Sequence, residues 1–243
     1  MLKYLENPDL QPITKSKAKL SKLRMVLMIL NYFVGYAYVY PWIYSRFSIL
    51  TYGQAYFTVE EYFMVFLTTL ALSVWIMFPI LKESWANFKA DWSKTLISCV
   101  IGLVIILIFS ALLGSLANFL SQQSTSENQA SVDTLLQNAP LLATFSAVIF
   151  APIVEELIFR GIFYRCLRPR LDVTSAMLLS GLLFGLAHVS QALLQGNFAD
   201  LAYILVYGFL GILFAGMYEY RQNIYGSMIM HAIYNAAALL LSL

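Results

Sequence analysis

Seven apolar stretches follow one another along the chain, at about 25–45, 61–81, 95–120, 139–159, 174–190, 199–219 and 225–242. Each comes close to the roughly 20 residues that a helix needs to cross a bilayer. Short linkers separate them, apart from one polar loop, SQQSTSENQASVDTLLQN, at 121–138. No internal repeat interrupts the series, and no segment is polar enough for a soluble domain. The pattern predicts an all-α fold, a polytopic membrane helical bundle with about seven transmembrane helices.

The basic residues orient that bundle. The N-terminal tail carries Lys3, Lys15, Lys17, Lys19, Lys22 and Arg24. The linker at 82–94 adds Lys82, Lys89 and Lys94, the one at 160–172 adds Arg160, Arg165, Arg168 and Arg170, and Arg221 sits between spans six and seven. With seven spans, fourteen of the fifteen basic residues fall on one side and only Arg46 on the other. Cytoplasmic loops are the ones that collect lysine and arginine, so the N-terminus is expected in the cytoplasm.

Composition agrees with this picture. Of 243 residues, 60% are hydrophobic and 12% are charged, about half the charged fraction of a soluble domain. The net charge of +2 adds little. Cys99 and Cys166 suggest no disulfide framework, and reduced thiols are expected. The first 24 residues are polar and basic and a full-length span follows, which argues against a cleavable secretion signal.

Against this background the end of span four stands out, where APIVEELIFR (151–160) places Glu155, Glu156 and Arg160 beside lipid. Glu156 and Arg160 stand i,i+4 and pair naturally. Glu155 lies about 100° round the helix, a poorer partner for the same arginine, among apolar neighbours and just after Pro152. An interfacial ion pair explains the second acid better than the first. The only two histidines also lie inside spans: FGLAH sets Phe184 and His188 four apart, and HAIYN does the same for His231 and Asn235. Residues at that spacing share a helix face. Ionisable groups in a membrane usually face one another or a wet cavity. A desolvated carboxylate is a good general base for water. Imidazole and amide groups can bind a metal or stabilise an oxyanion. Together they suit amide hydrolysis by an activated water. No nucleophilic Ser/His/Asp or Cys/His arrangement, phosphate loop, HExxH or CxxC is present.

The three motifs, EELIFR as EExxxR, FGLAH as FxxxH and HAIYN as HxxxN, resemble in order and spacing the signature of the CPBP family. That family contains the type II CAAX prenyl endopeptidases and the bacterial Abi proteins. The resemblance covers about residues 140–240. It divides the chain into a basic tail (1–24), variable helices with the polar outer loop (25–138) and a catalytic core (139–243). It implies an intramembrane endopeptidase in which Glu155, assisted by His188, activates water while His231 and Asn235 polarise the scissile carbonyl. Glu156, Arg160 and Phe184 would support them. It leaves two chemistries open: a metalloprotease, with Zn2+ on Glu155, His188 and His231, and a metal-independent glutamate enzyme.

The expected partners are the lipid bilayer and a hydrophobic or membrane-tethered peptide, in peptide maturation, CAAX-type processing or bacteriocin self-immunity; no nucleic acid is expected. The expected location is the bacterial plasma membrane, with the site toward the cytoplasm. A non-enzymatic immunity or scaffold protein that retains the motif is the alternative. A small transporter fits less well, since no inverted repeat is present. One mismatch accompanies these boundaries. As drawn, Glu155 lies roughly 6–8 Å from the cytoplasmic end of span four, whereas His188 lies about 21 Å along span five.

Overall fold

A computed structural model describes residues 20–53 and 58–242. The tail residues Lys3, Lys15, Lys17 and Lys19 lie outside the described residues. Within them the chain is helical and contains no strand. The long helices are α1 (Lys22–Tyr52), α2 (Val59–Ala90), α3 (Trp92–Ser121), α5 (Pro140–Leu167), α6 (Val173–Leu194), α7 (Phe198–Arg221) and α8 (Ile224–Leu241). All seven are long and apolar enough to cross a membrane. Between α3 and α5 the polar loop folds into a shorter helix, α4 (Glu127–Asn138), whose N-cap Ser126 accepts a hydrogen bond from the Gln129 amide.

Several spans run further than the apolar pattern predicted, and in two of them, α2 and α5, a local reason is visible. A Thr58/Glu61 capping box starts α2, which continues through Pro79 to Ala90. Proline has no amide to offer the carbonyl four residues back, which is that of Trp75. Arg24 supplies the missing donor, reaching the Trp75 and Ile76 carbonyls through Nη1. Helix α5 passes the expected end at residue 159 and continues to Leu167. Arg160, expected in a cytoplasmic linker, instead lies inside the bundle at 0% exposure. Two wide π-helical turns, at Ser146–Phe150 and Phe159–Tyr164, bracket the acidic segment. The first lies immediately ahead of Pro152, where the regular bonding pattern is broken.

The longer α5 removes the mismatch in depth. Glu155 stands twelve residues from Leu167, about 18 Å along the helix, and His188 fifteen from Val173, about 22 Å. Both therefore lie well along their helices, far from the arginine-bearing turn that joins α5 to α6.

Helices α6 and α7 pack with their backbones almost touching. A Cβ added at Gly181 would stand 2.6 Å from the Gly208 carbonyl oxygen, and one at Gly211 would stand 2.8 Å from the Gly181 Cα. Small residues permit this approach, which brings α7 against the face of α6 that carries Phe184. The core around α5 is filled by Phe150, Val154, Leu157, Ile158 and Phe159, with Phe184, Phe214 and Met230 from the facing helices.

Candidate active site

Glu155 and Glu156 point to different neighbours, as their 100° separation demands. Glu156 is fully buried, and its Oε1 accepts a hydrogen bond from Arg160 Nη1 at 3.0 Å. Arg160 donates its other terminal nitrogen to the Gly211 carbonyl of α7 at 2.7 Å. The guanidinium lies over the Phe184 ring at 4.8 Å and the Phe214 ring at 5.4 Å. A carboxylate, a carbonyl and two aromatic faces thus surround one buried cation, the kind of pairing that makes such burial tolerable.

The same Glu156 oxygen lies 3.2 Å from His231 Nδ1. A carboxylate paired with arginine only accepts, so His231 carries its proton on Nδ1 and presents a bare Nε2. His188 is set likewise: its Nδ1 is 2.9 Å from the Phe184 carbonyl, which also can only accept. Both Nε2 atoms converge on Glu155 Oε2, at 3.7 Å from His188 and 4.0 Å from His231. That carboxylate oxygen is buried and has no hydrogen-bond partner within the protein among the described residues.

Aromatic rings hold both imidazoles in place. Phe214 stacks on His231 with centroids 4.5 Å apart, and Phe184 lies 4.3 Å from His188. Tyr207 of α7 also stacks on His188, at 4.6 Å and 24° between planes. Asn235 is placed differently from its expected role. Its amide nitrogen donates to the Ala147 carbonyl at 2.8 Å, tying α8 to the first π-helical turn of α5. Glu155, His188 and His231 therefore meet at one point, with Glu156, Arg160 and Phe184 behind them. Phe214, Tyr207 and the Gly211 carbonyl belong to no sequence motif, and the bulk of α7 gave no signal that could have singled them out.

The three converging atoms are donors that zinc accepts. Two ligands at one tetrahedral zinc, with bonds of about 2.0–2.1 Å, stand roughly 3.3 Å apart, closer than the spacing here. Among the described residues no group of three His, Cys, Asp or Glu side chains is arranged to hold a metal ion.

Residues 137–237 match the family model described as Type II CAAX prenyl endopeptidase Rce1-like. The matched stretch contains Glu155, Glu156, Arg160, His188, His231 and Asn235. Over that stretch the chain is similar to the CPBP family. The chain is 26% identical over 180 residues to a Bacillus subtilis (strain 168) protein named "Putative membrane peptidase YdiL", covering 73% of this chain and 69% of the other. It is 27% identical over 202 residues to the UPF0177 protein YvdC of Lactococcus lactis subsp. lactis (strain IL1403), covering 81% and 71% respectively. No solved structure matches it significantly.

Proposed function

We propose that this protein is an intramembrane endopeptidase of the bacterial plasma membrane that hydrolyses a peptide bond in a hydrophobic or membrane-tethered peptide. The convergence of the two bare Nε2 atoms on Glu155 Oε2 carries the proposal. A water held between these groups has a carboxylate to take its proton and an imidazole lone pair to accept a hydrogen bond from it, which is what general-base hydrolysis needs. The oxygen of the attacked carbonyl then gains negative charge. His231 stabilises that charge when the proton that Glu155 took from water moves to its Nε2, because Glu156 on its Nδ1 favours the imidazolium, much as a buried acid does behind a protease histidine. The proton taken from water passes to the leaving amine. Asn235 acts one layer out, by fixing the α5 turn through Ala147.

The family match and the Bacillus relative's name support a membrane protease, and the depth of Glu155 and His188 supports a substrate that enters the bilayer. Purified protein in proteoliposomes, given a panel of hydrophobic and lipidated peptides, tests this. Glu155→Gln keeps the shape and removes the base, so turnover should fall by about 10²–10⁴-fold while the bundle stays folded. A folded Glu155→Gln protein that cleaves as fast as the parent would return the double acid to a purely structural role.

A further inference from the structure

The amphipathic helix α4 does not lie free on the surface. Its N-cap residue Ser126 is 2.6 Å from the Tyr207 hydroxyl, and Asn128 donates to the same hydroxyl at 3.3 Å. The Glu127 amide donates to Asp200 at 3.1 Å, and Asn197 donates to the Glu127 side chain, also at 3.1 Å. Beneath this helix lies a cavity of about 80 Å³ between Glu127, Asn128 and Ser131 of α4, His188 and Gln191 of α6, and Gln195 just after it. The ring whose hydroxyl holds α4 is the ring that stacks on His188.

We propose that Tyr207 is a positioning residue that joins two events. Its ring fixes the plane of His188, and its hydroxyl latches α4 over the mouth through which a substrate segment reaches that histidine. The proposal rests on the peptidase assignment, and it adds where the substrate is admitted. The cavity opens at the C-terminal end of α6, opposite the turn that carries Arg168 and Arg170. With basic residues retained on the cytoplasmic side, the mouth faces away from the cytoplasm, the reverse of what the first boundaries implied. The admitted segment is therefore one presented at the outer half of the bilayer. Its backbone must lie under α4, which has to lift or tilt. All four of these hydrogen bonds involve Ser126, Glu127 or Asn128 at its first turn, and among the described residues the Asn138 side chain bonds only within the helix, to the Thr134 carbonyl.

The latch and the stack separate in substitution. Tyr207→Phe keeps the ring and drops the hydroxyl; Tyr207→Leu drops both. Ala192 lines the cavity at 1% exposure, so Ala192→Cys reports the opening of α4. With Tyr207→Phe, labelling of that cysteine by a membrane-impermeant maleimide on intact cells should quicken about tenfold, read against a parent whose own cysteines are Cys99 and Cys166. Tyr207→Leu should lose about 10–100-fold in kcat, the scale of a misplaced catalytic group, and Phe should rescue it. Equal labelling in both backgrounds overturns the latch, and unchanged kcat in folded Tyr207→Leu overturns the positioning role. Labelling confined to inverted vesicles overturns the stated side. Labelling needs no turnover, so it reads the latch independently of whether Glu155→Gln abolishes cleavage.

Discussion

One oxygen of Glu156 holds two partners at once: Arg160 Nη1 at 3.0 Å and His231 Nδ1 at 3.2 Å. The i,i+4 spacing shows only the first of these. The second makes the acid an orienting group for a site histidine located 75 residues further along the chain.

Glu156→Gln should therefore cost activity as well as stability. The glutamine amide can offer a donor to Nδ1 and so reverse the tautomer of His231. Loss of a group that orients a ligating histidine costs about 10–100-fold, and a loss of that size is expected here. Single-turnover cleavage by detergent-purified protein, normalised to folded fraction, measures it. A variant that is less stable yet turns over at the parental rate would leave Glu156 with the ion pair alone.

Glu155 and His188 serve one point, so their losses should overlap. Glu155→Gln and His188→Ala should each lower turnover by at least about 10²-fold, and the double variant should be little worse than either. Groups that act as a unit are strongly non-additive. Losses that simply multiply would place the two residues in separate steps.

Arg160→Ala should damage folding more than Glu155→Gln does. It strands a buried carboxylate, a change that generally costs about 3–5 kcal/mol, and empties the box formed by Phe184, Phe214 and the Gly211 carbonyl. Membrane yield and thermal unfolding in detergent should show it. Normal yield with selective loss of cleavage would instead make Arg160 a contact of the substrate.

Metal dependence can be read directly. The donor spacing of 3.7 and 4.0 Å around Glu155 is wider than a zinc site needs, so cleavage should persist after treatment with a strong chelator. Loss of cleavage that added zinc restores would show that these side chains draw together around a metal, with Glu155, His188 and His231 as its ligands.

Much of this was visible in the chain itself. The seven spans follow from hydropathy because a bilayer leaves few alternatives for a backbone that must satisfy its own hydrogen bonds. The grouping of Glu155, His188 and His231 followed from motif order. The end of α5 was misjudged because a hydropathy window stops at Arg160 and cannot register that Glu156, Gly211 and two rings neutralise it. The Pro79 crossing depends on Arg24, fifty-one residues away from the carbonyl it satisfies, and the tie of Asn235 to Ala147 spans eighty-eight. Tyr207 carried no signal at all. Its importance comes from a ring–ring contact between two helices whose close approach depends on Gly181, Gly208 and Gly211.

The box around Arg160 also bears on how the protein is made. Helix α5 leaves the ribosome before α7, yet α7 supplies the Gly211 carbonyl and the Phe214 ring. Each charged residue at the centre of a lone helix opposes insertion by about 2.5–3.5 kcal/mol, and α5 carries three such residues within six positions. On its own, α5 is a poor client for the insertion machinery. The Gly211 carbonyl and the Phe214 ring reach Arg160 only once α7 has docked, so stable insertion of α5 is expected to depend on later helices.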